Sequence, residues 1–273
     1  MKWPMLAGVL LVLIAGCDAP GKSAAETPAA QKKDDAPPGE LRVAAAADLK
    51  FAMNALIPAF ERAHPEIKVT PTFGSSGNFF AQISNGAPFD LFLSADIDYP
   101  RRLIEEGKGI KDSEFLYAVG HLVLWARKES PLDLENDGIA VLSAEEVNKI
   151  SIANPAHAPY GRAAVAALKS LGVYDAVESR LVMGDNVAQA AQFVESGAAD
   201  VGMIALSLAV APEFREVGKY WEVPLDSHPP LEQGGVILTG AKGKAAANTF
   251  RAFLISDEGR TVLREFGFLL PGE

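Results

Sequence analysis

The stretch that decides the fold covers residues 67–94 and reads IKVTPTFGSSGNFFAQISNGAPFDLFLS. Apolar and polar side chains alternate over residues 67–73, which predicts a strand. The polar turn at residues 74–77 interrupts this pattern, and a helix is predicted from about Asn78 to Asn85. Residues 90–94 predict a second strand. A strand, a helix and a strand in this order are typical of an α/β sheet with helices on its faces.

The segment that precedes this stretch predicts the same alternation. Residues 41–46, LRVAAA, form an apolar run typical of a buried strand. Apolar side chains then recur at helical spacing over residues 49–60, and Asp48 is predicted to be the N-cap of this helix. Pro58 lies inside the pattern and is expected to disturb a straight helix. Together the two segments predict the order β-α-β-α-β.

A weak internal similarity appears when the sequence is shifted by about 110 residues. Residues 75–78 then align with residues 185–188, and Asp90 aligns with Asp200. In each copy a polar turn opens a short helix, a glycine ends it and a strand follows. Two interpretations stay open. In the first, the similarity has no further meaning, because any two turn–helix–strand units look alike. In the second, the chain contains two lobes built on the same plan.

Four predicted turns each follow a strand-like segment and open a helix, at Asp48, Ser76, Tyr160 and Val187. In open α/β sheets ligands bind at the edge where strands lead into helices. The start of a helix carries unpaired N–H groups and a partial positive charge, which favour an anion. Four such starts predict an anion site that needs neither lysine nor arginine.

Composition limits the classes of function. The 273 residues carry a net charge of −10, with 35 acidic and 25 basic side chains. Nucleic acids and anionic membrane surfaces are disfavoured as partners, because both require a basic face. The single cysteine excludes an internal disulfide framework and a cysteine-rich zinc site, and the four histidines share no metal-ligand spacing. We therefore predict no cofactor and no side chain bound directly to a metal.

The first forty residues predict a leader and a tether. An apolar run at residues 5–15 is too short for a membrane span of about 20 residues and is typical of a secretory signal peptide, assigned to residues 1–16. The run ends in LIAGC, which resembles the bacterial lipobox, so Cys17 is predicted to be lipid-modified; an ordinary signal peptide with a chance cysteine is the alternative. Asp18 resembles an inner-membrane retention signal. The remainder of residues 17–40 predicts a flexible tether.

Several motifs of residues 41–273 resemble the periplasmic molybdate-binding proteins of ABC importers. The most specific is NGAPFDLFLSAD at residues 85–96, and the others are AAADL at 45–49, FGSSG at 73–77, the loop NPAHAPYG at 154–161, GDNV at 184–187 and the segment 259–268. The resemblance implies a two-lobed clamshell, each lobe being a mixed, mostly parallel sheet flanked by helices, with the ligand in the cleft between them.

We expect the chain to cross between the lobes near residues 120–126 and 223–235. Lobe I then comprises residues 41–121 and 229–273, and lobe II comprises residues 122–228. The resemblance further implies a monomeric protein outside the cytoplasm that is not an enzyme. It would capture molybdate or tungstate and deliver the ion to the membrane permease of the importer.

The family's ligand contacts transfer to this chain position by position. Ser76 resembles a hydroxyl donor, and Val187 resembles a backbone N–H donor. Tyr160 matches a position that donates through its N–H or its hydroxyl, and its hydroxyl could replace the one missing at Ala205, where some members place a tyrosine. Asp48 matches a position that is often serine or asparagine. Two further candidates for contact are Ala47 and Ser75.

Asp48 is the departure from this pattern, because a carboxylate repels a dianion. Three interpretations are open. The side chain caps its own helix and leaves only backbone N–H groups for the ligand, which we expect. Alternatively, it is protonated and donates, or the protein binds a protonated or different oxyanion, such as a sulfate-like one.

Other classes of function have less support. A serine hydrolase could combine Ser75 or Ser76 with His157 and an aspartate, but the G-x-S-x-G motif fails at Asn78. An iron(III) receptor would require several tyrosine, histidine or carboxylate ligands, and the five tyrosines are scattered. We expect His157 to be a surface hydrogen-bonding residue and Arg162 to form a structural ion pair. Asp90 and Asp200 are expected to act as structural caps.

Overall fold

The computed structural model describes residues 39–272, and these belong to one compact unit. The predicted signal peptide at residues 1–16, the lipidation site Cys17 and residues 18–38 of the predicted tether lie outside the described residues.

Most strands of the described chain lead into a helix. The strands are β1 Glu40–Ala46, β2 Lys68–Gly74, β3 Leu91–Ser94, β4 Phe115–Gly120, β5 Leu122–Arg127, β6 Ile150–Ala153, β7 Leu181–Gly184, β8 Val201–Ala205, β9 Gly218–Glu222 and β10 Leu231–Ile237. The α-helices are α1 Lys50–Ala63, α2 Ser76–Ser84, α3 Asp98–Glu105, α4 Leu134–Asp137, α5 Pro159–Ser170, α6 Tyr174–Val177, α7 Val187–Glu195, α8 Leu206–Ala209, α9 Pro212–Val217, α10 Lys244–Leu254 and α11 Asp257–Glu265.

The strands form two five-stranded sheets with the same topology, β2-β1-β3-β10-β4 and β7-β6-β8-β5-β9. In each sheet the first two pairings are parallel and the last two are antiparallel. Neighbouring residues of β1 pack into different hydrophobic clusters, Val43 into one and Ala44 into another. The first sheet is therefore covered on both faces, as expected for central strands of an α/β fold. The predicted fold class is confirmed.

The internal similarity reflects this shared topology. Helices α2 and α7 both have nine residues and occupy the same place in their sheets. The glycines that follow them, Gly86 and Gly197, have φ angles of +88° and +78°, which favour glycine. Asp90 accepts the backbone N–H of Arg42 in β1 at 2.9 Å, and Asp200 accepts that of Lys149 before β6 at 2.9 Å. The expected structural role of both aspartates is confirmed.

The chain passes between the sheets twice. It leaves the first sheet at Gly120 and enters the second at Leu122, and it returns between Glu222 and Leu231. Both passages lie within the segments in which we expected crossings. We call the part with the first sheet lobe I and the part with the second lobe II; their boundaries at residues 121/122 and 228/229 stay a prediction.

Local structure differs from the prediction at the helix starts. A 3₁₀ turn at Ala47–Leu49 precedes α1, so Asp48 is not the N-cap of that helix. Helix α1 also continues through Pro58 without ending there. Helix α2 starts at Ser76, two residues earlier than predicted, because Ser75 is still extended and provides the N-cap position. Helix α5 begins at Pro159, whose fixed φ suits the first turn of a helix.

Candidate functional site

A small cavity lies between the lobes, where strands of both sheets lead into helices. Its lining residues are Ala46, Ala47, Asp48, Gly74, Ser75, Ser76, Ala95, Ala158, Pro159, Tyr160, Asn186 and Val187. They include all six residues proposed from the sequence, namely Ala47, Asp48, Ser75, Ser76, Tyr160 and Val187, but not Ala205. The structure thus brings these residues together, while their contact with a ligand stays a prediction.

Ser76 is arranged as a hydroxyl donor at the start of α2. The residue is fully buried, and its Oγ accepts the backbone N–H of Ala95 at 2.9 Å. Because the oxygen already accepts this bond, its own hydrogen remains to be donated to another group. A ligand oxygen in the cavity is a suitable acceptor.

The start of α7 is arranged as a backbone donor. The side-chain oxygen of Asn186 accepts the N–H groups of Ala188 and Gln189, both at 3.0 Å. This cap uses two of the N–H groups at the helix start. The N–H of Val187 takes part in no hydrogen bond with the other residues in the range 39–272. The first N–H of α7 is therefore left for a ligand.

Tyr160 approaches the cavity from the first turn of α5. The helix lies so close to β6 that a Cβ on Gly161 would be 2.1 Å from the carbonyl oxygen of Ala153. The Tyr160 hydroxyl accepts a hydrogen bond from Gln233 Nε2 at 3.3 Å and interacts with the Asp48 carboxyl. Burial and the nearby Asp48 charge raise the pKa of the phenol well above its usual value. Tyr160 is thus a neutral group that joins lobe II to lobe I.

Asp48 lies in a buried polar network and does not cap a helix. Its side chain is fully buried, and Oδ2 accepts a hydrogen bond from Gln233 Nε2. Asp48 is not the N-cap of the 3₁₀ turn or of α1, and its Oδ1 has no hydrogen-bond partner in the described part of the chain, so the capping interpretation was wrong. The N–H groups of Asp48 and Leu49 lower the pKa of the carboxyl only as minor contributors. Burial raises the pKa of Asp48 to about 6, against the opposing effect of hydrogen bonds, chiefly those from Gln233 and Tyr160. A fully buried carboxyl thus lines the cavity.

Gln233 is the important residue that the sequence analysis missed. It lies in β10, is fully buried, and connects Asp48 with Tyr117, whose hydroxyl donates to Gln233 Oε1 at 2.9 Å. The available signal was a glutamine inside the strand LEQGGVI, because a buried amide requires partners. Its partner Asp48 is 185 residues away along the chain, so the sequence alone did not identify the pair.

Further contacts join the lobes at the margin of the cleft. Arg162 contacts Asp96 at 2.5 Å and the Tyr99 hydroxyl at 3.1 Å. The structural ion pair expected for Arg162 is confirmed. Asn78 Nδ2 donates to Asp185 Oδ1 at 3.1 Å across the same cleft. These contacts hold the two lobes close together around the cavity.

One group of side chains has the composition of a serine-hydrolase triad but not its geometry. Ser75 Oγ lies 2.9 Å from Nδ1 of His157, and Nε2 of His157 lies 3.7 Å from Asp185. In a catalytic triad the serine contacts Nε2 and the carboxylate contacts Nδ1, the reverse of this arrangement. Asp185 is also more than half exposed. We interpret the group as a polar contact between lobes. His157 forms a hydrogen bond, as expected, but it does so between the lobes.

Two features are absent from the part of the chain that the structure covers, a metal-binding cluster and a membrane-spanning helix. Among residues 39–272, no three or more His, Cys, Asp or Glu side chains are grouped so that they could hold a metal ion. The helices of the same residues are too short or too polar to cross a bilayer.

Comparisons with known proteins agree with the observed fold. Residues 41–269 match the family model described as bacterial extracellular solute-binding protein. The molybdate-binding protein ModA of Azotobacter vinelandii is 41% identical over 229 residues, which cover 84% of this chain and 89% of that protein. ModA of Rhodobacter capsulatus is 40% identical over 201 residues, or 74% of this chain and 77% of that protein.

A solved structure extends the comparison to three dimensions. The periplasmic molybdate-binding protein of Azotobacter vinelandii superposes with a TM-score of 0.79 at 33% sequence identity, covering 85% of this chain and 99% of that one. These relatives are named as binding proteins rather than enzymes, which agrees with the prediction of a non-enzymatic, extracytoplasmic function. The resemblance inferred from the sequence motifs is confirmed, and the chain belongs to the family of bacterial extracellular solute-binding proteins.

Proposed function

We propose that this protein captures molybdate or tungstate outside the cytoplasm and delivers the ion to the membrane permease of an ABC importer. The observation that carries the proposal is the cavity between the lobes, at which helix starts from both sheets meet. The Ser76 hydroxyl and the Val187 N–H suit an oxyanion, because hydrogen bonds to charged groups are the stronger kind. The names of the relatives at 41% and 40% identity support the same ligand.

The dimensions of the cavity favour a small ion over an organic solute. The cavity has a volume of about 10 Å³, which corresponds to roughly one water molecule. An ion with four oxygens is larger, so its entry would involve an opening of the cleft between the lobes. The two passages between the sheets, at His121 and at residues 223–230, are the places for such a hinge motion. The permease would then recognise the closed, loaded form.

Competition calorimetry tests the ligand assignment. The purified protein, without its first forty residues in one preparation and with them in another, is titrated with molybdate, tungstate, sulfate and chromate. We expect molybdate and tungstate to bind much more tightly than sulfate. Sulfate binding as tight as that of molybdate would refute the assignment and favour a different tetrahedral oxyanion.

We also propose that the mature protein is a monomer anchored to the membrane through lipid on Cys17, on the outer face of the inner membrane. The support is the sequence LIAGCD at residues 13–18, and more than one acyl chain gives stable anchoring. A Cys17→Ser variant should move from the membrane fraction to the soluble fraction and lose labelling by a fatty-acid analogue. Unchanged fractionation would refute the anchor, and size-exclusion chromatography with light scattering tests the monomer.

A further inference from the structure

Asp48 is an unexpected group in a cavity that receives an anion. It lines the cavity together with Ser76 and Tyr160, and its side chain is completely buried. The residues that line the cavity include no lysine, arginine or histidine. No cation in the lining therefore offsets a carboxylate at this position, and an anionic ligand would add negative charge beside it.

The hydrogen bonds around Asp48 indicate which oxygen can carry a proton. Gln233 Nε2 donates to Oδ2, and the Tyr117 hydroxyl holds the other end of the amide through Oε1 at 2.9 Å. An oxygen that already receives an N–H is a poor site for a proton, which leaves Oδ1. This atom is buried without a hydrogen-bond partner in the described part of the chain. A proton on Oδ1 would therefore provide a donor that a ligand oxygen can satisfy.

The groups that surround the carboxyl on each side are neutral. Tyr160 approaches from α5, Tyr117 from β4 and Gln233 from β10, while Ser207 of α8 donates to the backbone oxygen of Asp48 at 2.7 Å. Burial, together with the charge of Asp48, raises the pKa of both phenols well above their usual value. These groups can orient the carboxyl, but they do not neutralise it.

The titratable side chains around the cleft contact groups other than Asp48. Arg162 contacts Asp96, His157 lies between Ser75 and Asp185, and His121 lies 3.7 Å from Glu222. Burial raises the pKa of Asp48 to about 6, so the carboxyl of the free protein is mostly ionised above that pH. An incoming dianion raises this pKa further, because like charges disfavour the ionised form.

We propose that Asp48 holds the oxyanion as a carboxylic acid, donating the proton on Oδ1 to a ligand oxygen. Capture of a dianion at neutral and alkaline pH then takes up one proton from solution. The occupied cavity carries two negative charges instead of three, and no bond to the metal atom forms. This inference rests on the proposed oxyanion-binding function.

Titration calorimetry with molybdate at pH 8, in several non-phosphate buffers of different ionisation enthalpy, counts the protons. We expect uptake of about one proton per molybdate, and a Kd that rises about tenfold per pH unit between pH 7 and 8.5. In Asp48→Asn, an amide N–H replaces the acid proton. This variant should take up no proton, keep the same Kd within about twofold across that range, and bind at pH 8 at least as tightly as the wild type.

Asp96→Asn is the matched control, because it removes a carboxylate at the cleft margin that Arg162 already neutralises. Its proton uptake should stay near one. Binding by the wild type without proton uptake would refute the inference alone. Binding tenfold weaker or more in Asp48→Asn at every pH would also refute it, since the carboxylate would then accept a proton from the ligand. No binding of molybdate or tungstate by the wild type would refute the proposed function itself.

Discussion

The two lobes reach the cavity with the same strand order but with different chemical groups. In lobe I, β1 leads to the carboxyl of Asp48 and β2 leads to the hydroxyl of Ser76. At the equivalent places in lobe II, β6 leads to the phenol of Tyr160 and β7 leads to the backbone N–H of Val187. The shared topology fixes where four groups meet, while the local sequence decides whether a side chain or the backbone is presented.

The N-caps show how this difference arises. Asn186 in lobe II uses its side chain to cap α7. Ser75, at the equivalent position in lobe I, makes no side-chain cap and contacts His157 across the cleft instead. One cap residue therefore serves its own helix, and the other serves the contact between lobes.

The largest effect is expected for the pH dependence of stability, and it concerns Asp48. Lobe II has no carboxyl at the equivalent helix start. The folded protein holds the pKa at about 6, compared with the ordinary value of 3.8, so it keeps this proton at pH values where the unfolded chain has lost it. As the pH rises from about 4 to 6, the free energy of unfolding therefore falls, and above that range it stays lower by at most roughly 3 kcal/mol. Asp48→Asn should remove this loss. Urea unfolding of the ligand-free proteins should show the variant more stable at pH 8 than the wild type.

The same comparison at pH 4 provides the control for this prediction. The carboxyl is then largely protonated in the folded protein, so the advantage of Asp48→Asn over the wild type should mostly disappear. A stability difference between the two proteins that does not change with pH would contradict the prediction.

The second prediction contrasts side-chain deletion in the two lobes. Ser76→Ala removes a hydroxyl that can donate to the ligand, at a cost of about 2 kcal/mol, or roughly 30-fold in Kd for molybdate. Val187→Ala keeps the backbone N–H and should change the Kd by less than about threefold. Calorimetry measures the Kd for molybdate of both variants, and circular dichroism verifies that they are folded. Equal losses would mean that both lobes bind through side chains.

The third prediction removes the backbone donor itself. Val187→Pro deletes the N–H at the first position of α7, where proline is tolerated, and the extended conformation of Asn186 suits a residue that precedes proline. We expect molybdate binding to weaken about tenfold to thirtyfold. Val187→Ala is again the matched control, because it shortens the same side chain. Unchanged affinity in Val187→Pro would show that this N–H does not contact the ligand.

The smallest effect concerns the two N-cap residues. Asn186→Ala should lower the free energy of unfolding by about 1 kcal/mol, since it removes a cap with two hydrogen bonds. Ser75→Ala should cost less, because its hydroxyl does not cap α2. Urea unfolding of both variants measures the difference. A larger loss in Ser75→Ala would mean that the contact with His157 stabilises the fold more than the cap does.

Much of this arrangement could be predicted from local sequence. The environment of Asp48 could not, and the reason is physical. Alternating apolar patterns indicated the strands, and polar turns indicated the helix starts near Ser76, Tyr160 and Val187, because these signals lie within a few residues of each other. The environment of Asp48 depends instead on Gln233, which is distant in sequence and belongs to a strand that pairs only in the folded protein. Local rules therefore favoured a helix cap, whereas tertiary packing provided a buried amide partner.

The position of β10 affects the order in which the protein can fold as it is synthesised and exported. Every strand of the second sheet lies within residues 122–222, so this sheet is encoded by one continuous segment. The first sheet needs Leu231–Ile237 between β3 and β4, although β4 ends more than a hundred residues earlier. Pairing over such sequence distances is slow to form. Lobe I therefore has to wait for the C-terminal part of the chain, and lobe II can fold first.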